Sequence, residues 1–96
     1  MKTIELKTED VLTLVSLLRG PFHDEMTSSQ RVQLFKTHDE VMKSLKQEGS
    51  PIVKYLKLDV EDVKIINLIL SFYGNDADTL REFREMFAKL EKLFTI

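Results

Sequence analysis

Apolar residues fall along this chain in two rhythms, and the changes of rhythm mark its elements. From Thr3 to Lys7 polar and apolar positions alternate, the period of a short strand or extended arm. From Val11 onward the period lengthens. Val11, Leu14, Val15 and Leu18 share one helical face, which Leu12 and Leu17 widen. Thr8 is placed to cap this helix, Glu9 and Asp10 sit where the helix dipole favours acids, and Gly20-Pro21 ends it. Phe22 to Thr27 shows no period and reads as the longest loop. Ser28 or Ser29 then caps a second helix, whose apolar positions are Val32, Leu34, Phe35, Val41, Met42 and Leu45, and Gly49-Ser50-Pro51 closes it.

The second half follows the same course. Ile52 to Leu58 suits a short turn leading into a strand, and Asp59 caps a third helix with Glu61 and Asp62 in its first turn. Val63, Ile65, Ile66, Leu68, Ile69, Leu70 and Phe72 make this the most apolar stretch, with Asn67 as its polar intrusion and Gly74 at its end. A fourth helix is predicted from Leu80, Phe83, Phe87, Leu90 and Phe94, whose spacings of 3, 4, 3 and 4 form an a/d seam that Met86 and Leu93 extend.

Residues 4–18 and 56–70 align at a constant offset. Leu6/Leu58, Glu9/Glu61, Asp10/Asp62, Val11/Val63 and Leu18/Leu70 are identical, and Leu14/Ile66 and Leu17/Ile69 are conservative matches. The expected architecture is therefore mostly α. It is a single helical domain over residues 1–96, a four-helix orthogonal or bundle-like arrangement built as two similar halves, 1–49 and 50–96. Segments 3–7 and 55–58 could add a short two-stranded β element. The expected core is Leu14, Val15, Leu18, Phe35, Val41, Leu45, Val63, Ile66, Ile69, Leu70, Leu80, Phe83, Phe87 and Leu90.

Composition narrows the function more by exclusion than by suggestion. Ninety-six residues, 43% hydrophobic and 31% charged, fit one folded domain. With no cysteine, thiolate metal sites, thiol catalysis and disulfides are absent from its chemistry. The net charge is −2, and residues 1–48 and 49–96 each carry seven Lys/Arg against eight Asp/Glu, so no basic tract collects phosphates. No apolar run approaches the roughly 18 residues needed to span a bilayer. An acid at Glu5 does not suit a signal peptide. The expected location is the cytoplasm.

Candidate chemistry is sparse. His23-Asp24-Glu25 and His38-Asp39-Glu40 repeat one tripeptide, and a metal or small-ligand site would have to bring both histidines together with nearby carboxylates. Neighbours on a helix point about 100° apart, so His38, Asp39 and Glu40 cannot chelate one ion. No metal site and no cofactor are assigned. The serines lie outside any nucleophile elbow, the glycines sit at element ends, and the acid pairs Glu9/Asp10 and Glu61/Asp62 are explained by helix starts. The reading is of a non-enzyme, to be revisited only for a buried acid with a raised pKa. Gln30, Arg31, Gln33 and Lys36 form the only cluster a nucleic-acid-binding helix could present.

Two features point to a partner surface. Arg19, Phe22, His23 and Met26 place large apolar side chains in an otherwise polar loop, where they either fold back on the core or touch another protein. The C-terminal seam ends Leu93-Phe94-Thr95-Ile96 and offers more apolar surface than the other helices can cover. A homodimer is therefore expected with Phe87, Leu90 and Phe94 near its axis, docking within the chain being the competing arrangement. The function expected is that of a small protein-interaction module, an inhibitor, adaptor or immunity-type protein. A ligand or metal binder using His23 and His38, and a helical nucleic-acid-binding regulator, are the alternatives. In size and composition alone the chain is of a kind with phage accessory proteins, antitoxins and bacteriocin-immunity proteins, an analogy without residue-level content.

Overall fold

The computed structural model describes residues 2–49, 51–72, 81, 84, 85, 87 and 88. Its elements run β1 (Lys2–Lys7), α1 (Thr8–Leu18), a single 3₁₀ turn (His23–Glu25), α2 (Ser28–Leu45), β2 (Val53–Leu58) and α3 (Val60–Phe72). The fold is mostly helical with a short two-stranded antiparallel sheet. A four-helix bundle is not what the described residues show: they contain three helices, and the seam expected over Leu80 to Phe94 lies largely outside them.

The two-stranded sheet is an organising layer of the described residues. Alternation along β1 turns Ile4 and Leu6 inward, and alternation along β2 does the same for Leu56 and Leu58, all 5% exposed or less. Burying a leucine or isoleucine this fully is worth about 1.5–3 kcal/mol each. The strands are therefore part of the core and not the marginal arm that their length alone suggests. Ile4 pairs with Leu56, Glu5 with Tyr55 and Lys7 with Val53. Each strand feeds directly into a helix, β1 into α1 and β2 into α3.

Helix starts differ from expectation in instructive ways. Lys7, not Thr8, is the N-cap of α1. The Thr8 hydroxyl donates to the Pro51 carbonyl at 2.7 Å and its amide to the Ile52 carbonyl at 2.7 Å, extending the ladder past the strand. Thr27, not Ser28 or Ser29, caps α2: its hydroxyl accepts from the Gln30 amide while the Gln30 side chain accepts from the Thr27 amide. The T-x-x-Q spacing carries that capping box in the sequence. Asp59 caps α3 as expected.

Leu14, Val15, Leu18, Val41, Val63, Ile66, Ile69, Leu70 and Phe87 are buried as expected, and Leu45 packs partly buried against them. Phe35 is the correction: it stands 59% exposed while its neighbour Leu34 is 2% exposed. The inward seam of α2 runs Leu34, Thr37, Val41, Ser44, and residue 35 lies about 200° around the helix from residue 37. Two of those four seam positions are polar, which apolar spacing could not detect. Leu12, expected to widen the apolar face of α1, is 53% exposed. Leu80, Phe83 and Leu90 of the expected core lie outside the described residues.

Ile66→Ala should lower the unfolding free energy by about 2–5 kcal/mol in urea titrations, as a void among fully buried side chains does. Phe35→Ala should change it by less than about 0.5 kcal/mol. Equal losses at the two positions would reverse the assignment of inner and outer faces.

Candidate functional site

The segment after α1 decides which of the sequence-named residues remain on the surface. The amides of Arg19 and Gly20 close the helix on Val15 and Leu17 at 3.1 Å, and Pro21 prevents its continuation. The chain then turns through His23–Glu25, with the Met26 amide on the His23 carbonyl at 3.2 Å. This turn folds Met26 into the core, where it is 4% exposed, and lays the Phe22 ring on Phe72 at 5.1 Å between centroids. Phe22 and Met26 are thus the two members of the expected partner site that fold back. Their packing against the core is the physical reason the loop holds one shape.

Arg19 and His23 stay at the surface and are brought against α2. The Arg19 guanidinium donates through Nε to His38 Nε2 at 3.0 Å and reaches Met42 Sδ at 3.8 Å. The His23 ring stacks on Phe35 at 5.8 Å. Phe35 and Val32, one turn apart, are 59% and 54% exposed. The result is an exposed aromatic flanked by an arginine and two histidines, with a second apolar side chain on the same helix face. Arg19, His23 and His38 were visible as candidates in the sequence; Phe35, which joins them, was assigned to the core.

Among the described residues the two histidines do not converge with carboxylates. His38 Nε2 is committed to a cation, the Arg19 guanidinium, and among the described residues no three His, Asp or Glu side chains converge as ligands. Phe87 is 2% exposed within the single chain, so its ring is covered before any second copy arrives. Leu90 and Phe94 lie outside the described residues.

A second polar constellation sits between α2 and α3. Asp62 is 3% exposed. Its Oδ1 accepts from the Thr37 hydroxyl at 2.5 Å and from Gln33 Nε2 at 2.9 Å, and its Oδ2 accepts from the Asp59 amide at 2.9 Å. Asp59 returns the bond by accepting the Asp62 amide at 3.0 Å, which completes a capping box. Burial pushes the Asp62 carboxyl above its usual 3.8, and the bond from the Asp62 amide holds Asp59 below it. This is a buried acid with a raised pKa, the one feature reserved as grounds to reconsider catalysis. Both oxygens are occupied by donors of the chain itself, and no buried polar side-chain atom among the described residues lacks a partner. The group ties two helices together. The D-x-x-D spacing was legible; the contribution of Thr37 and Gln33, 25 and 29 residues away, was not.

Compared with known proteins, the chain matches no family model, no curated protein and no solved structure.

The Asp59–Asp62 pair sets a signed expectation for pH. A raised pKa means the native state holds the Asp62 proton more tightly than the unfolded chain does, so stability from this group falls as pH climbs from 3.8 through its folded value. Asp59 is lowered, so its contribution is present above 3.8 and lost as pH falls through its folded value. Urea unfolding of the protein and of Asp62→Asn should show wild type losing ground to the variant as pH rises above about 4. A wild-type advantage that grows over that range would mean the ionised carboxylate is the favoured buried form.

Proposed function

We propose that this chain is a non-enzymatic protein-interaction module, of the inhibitor, adaptor or immunity type, that acts by occupying a surface of another protein. The observation that carries the reading is Phe35, a phenylalanine 59% exposed on a regular helix, with His23 stacked on it and Val32 one turn away. Large apolar side chains scattered singly on a surface are ordinary, whereas an aromatic set among apolar and arginine neighbours has the composition of a binding hot spot. Arg19 is held beside this face by its bond to His38, so little side-chain freedom is lost when a partner orders it. The loop supplies Arg19 and His23 to the patch; Phe22 and Met26 support it from within.

The alternatives find less support. A nucleic-acid reader would use Gln30, Arg31, Gln33 and Lys36, but Gln30 is engaged in the capping box of α2 and Gln33 in the bond to Asp62. Ligand or metal binding through His23 and His38 has one ring nitrogen fewer to draw on, because His38 Nε2 accepts from Arg19. No described helix is long and apolar enough to cross a membrane. A cysteine-free composition permits action in the cytoplasm.

Phe35→Asp should leave the unfolding free energy within about 0.5 kcal/mol of wild type, because the ring is mostly in solvent. Cross-linking in a lysate of the native host should then recover a partner with wild type and with the control Ile52→Asp, itself a change at an exposed position (70%), but not with Phe35→Asp. Recovery of the same protein by Phe35→Asp, or of none by wild type, would sink the reading.

A further inference from the structure

The two edges of the sheet are finished differently. In an antiparallel ladder the residues of each strand alternate between facing the neighbour and facing away. The bond from the Thr8 amide to the Ile52 carbonyl sets the phase: Lys2, Ile4 and Leu6 face β2, and Thr3, Glu5 and Lys7 turn their backbone groups outward. Tyr55, opposite Glu5, shows the same phase on β2. Its outward N–H donates to Gln47 Oε1 at 3.1 Å, and its outward carbonyl accepts from Gln47 Nε2 at 2.6 Å. Gln47 therefore takes the place of a third strand at the centre of the β2 edge, and Lys54 Nζ fastens it by donating to the Gln47 carbonyl at 2.8 Å. β1 has no such group among the described residues. Among the described residues nothing bonds the outward groups of Thr3 or Glu5 or the outward amide of Lys7, and all three residues are exposed.

We propose that the open edge of β1 pairs antiparallel with β1 of a second copy of this chain, across a twofold axis at Leu6. Charge selects both the occupant and the register. Glu5 opposite Glu5 would set like charges together, and Thr3 opposite Glu5 would leave the carboxylate without a cation. Glu5 opposite Lys7 gives an ion pair on each side of the axis. Neither Glu5 nor Lys7 makes an ion pair within its own chain among the described residues. In this register the Glu5 amide donates to the Lys7 carbonyl of the other copy and the Lys7 amide to the Glu5 carbonyl, twice over. The Lys7 carbonyl also begins α1, and its second lone pair takes the new bond. Because Gln47 occupies the outward groups of Tyr55 at the centre of the β2 edge, that edge offers an added strand no continuous run of backbone groups, whereas β1 does, and pairing uses it up. The assembly closes as a dimer instead of growing into a fibre.

Light scattering at rising protein concentration should give a mass approaching twice the 11.2 kDa of one chain. Glu5→Lys and Lys7→Glu should each return the mass of one chain, with circular dichroism unchanged because both side chains are exposed. The double variant Glu5→Lys/Lys7→Glu should restore the dimer. Hydrogen exchange at the Glu5 and Lys7 amides should be at least about tenfold slower in wild type than in either single variant. Phe35→Asp should leave the dimer intact, which separates this interface from the partner face on α2. A single-chain mass at every concentration overturns the proposal, as does a dimer that survives Glu5→Lys. Protection of these amides only when an extended peptide of another protein is added would also overturn it, in favour of a foreign strand.

Discussion

The structure depends on one ladder, the pairing of β1 with β2. Two strands of six residues are marginal by themselves in water. Here the inward side chains Ile4, Leu6, Leu56 and Leu58 join the cluster that α1, α2 and α3 also enter, so ladder and helices support each other. Register is pinned by that burial. A slip of one residue would turn Glu5 and Lys7 into the core and Ile4 and Leu6 into water.

α2 connects this ladder to the rest through polar bonds rather than apolar packing alone. Thr37 and Ser44 are as buried as any leucine, and each is satisfied: Thr37 donates to Asp62, and Ser44 donates to the Val41 carbonyl at 2.6 Å. Just beyond the C-terminal end of the helix, Gln47 reaches β2. Such bonds fix one alignment of α2, because sliding the helix by a turn would strand a buried acid without donors. Apolar contacts, being non-directional, tolerate far more such movement. Holding α2 in place also holds Phe35 outward, so the exposure of this ring follows from the polar interior.

Much of the fold could be read from the spacing of apolar residues, because α1 apart from Leu12, α3, and β1 bury what their periods predict, while β2 also buries Lys54. The reading failed on α2, where the choice between Leu34 and Phe35 turned on polar residues occupying inward positions. It also misplaced two caps by one residue, since Thr8 spends its hydroxyl on Pro51 and Thr27 does the capping of α2. Of the candidate site, Arg19, His23 and His38 were recognisable by residue type. Their assembly around Phe35 was not, because it depends on how a nine-residue connection folds back between α1 and α2. The bonds of Gln33, Thr37 and Gln47 to distant elements leave no local signature at all.

The Thr8 clasp bears on the order in which the chain assembles. Lys2 and Leu58 are 56 residues apart along the chain, whereas Thr8 and Pro51 are 43 apart. Loop-closure entropy favours the shorter closure by only about 0.2 kcal/mol, too little to choose a starting point. What distinguishes the Thr8 end is chemistry: one residue makes two bonds, through hydroxyl and amide, to consecutive carbonyls, at the point where α1 is already attached. Contact there fixes both the direction of β2 and the phase of the ladder. Each later pair, back toward Lys2, then closes only a few atoms of additional ring. Once Thr8 meets Pro51 and Ile52, every remaining pair of the ladder is a local closure, so the long-range part of this topology lies in that one contact.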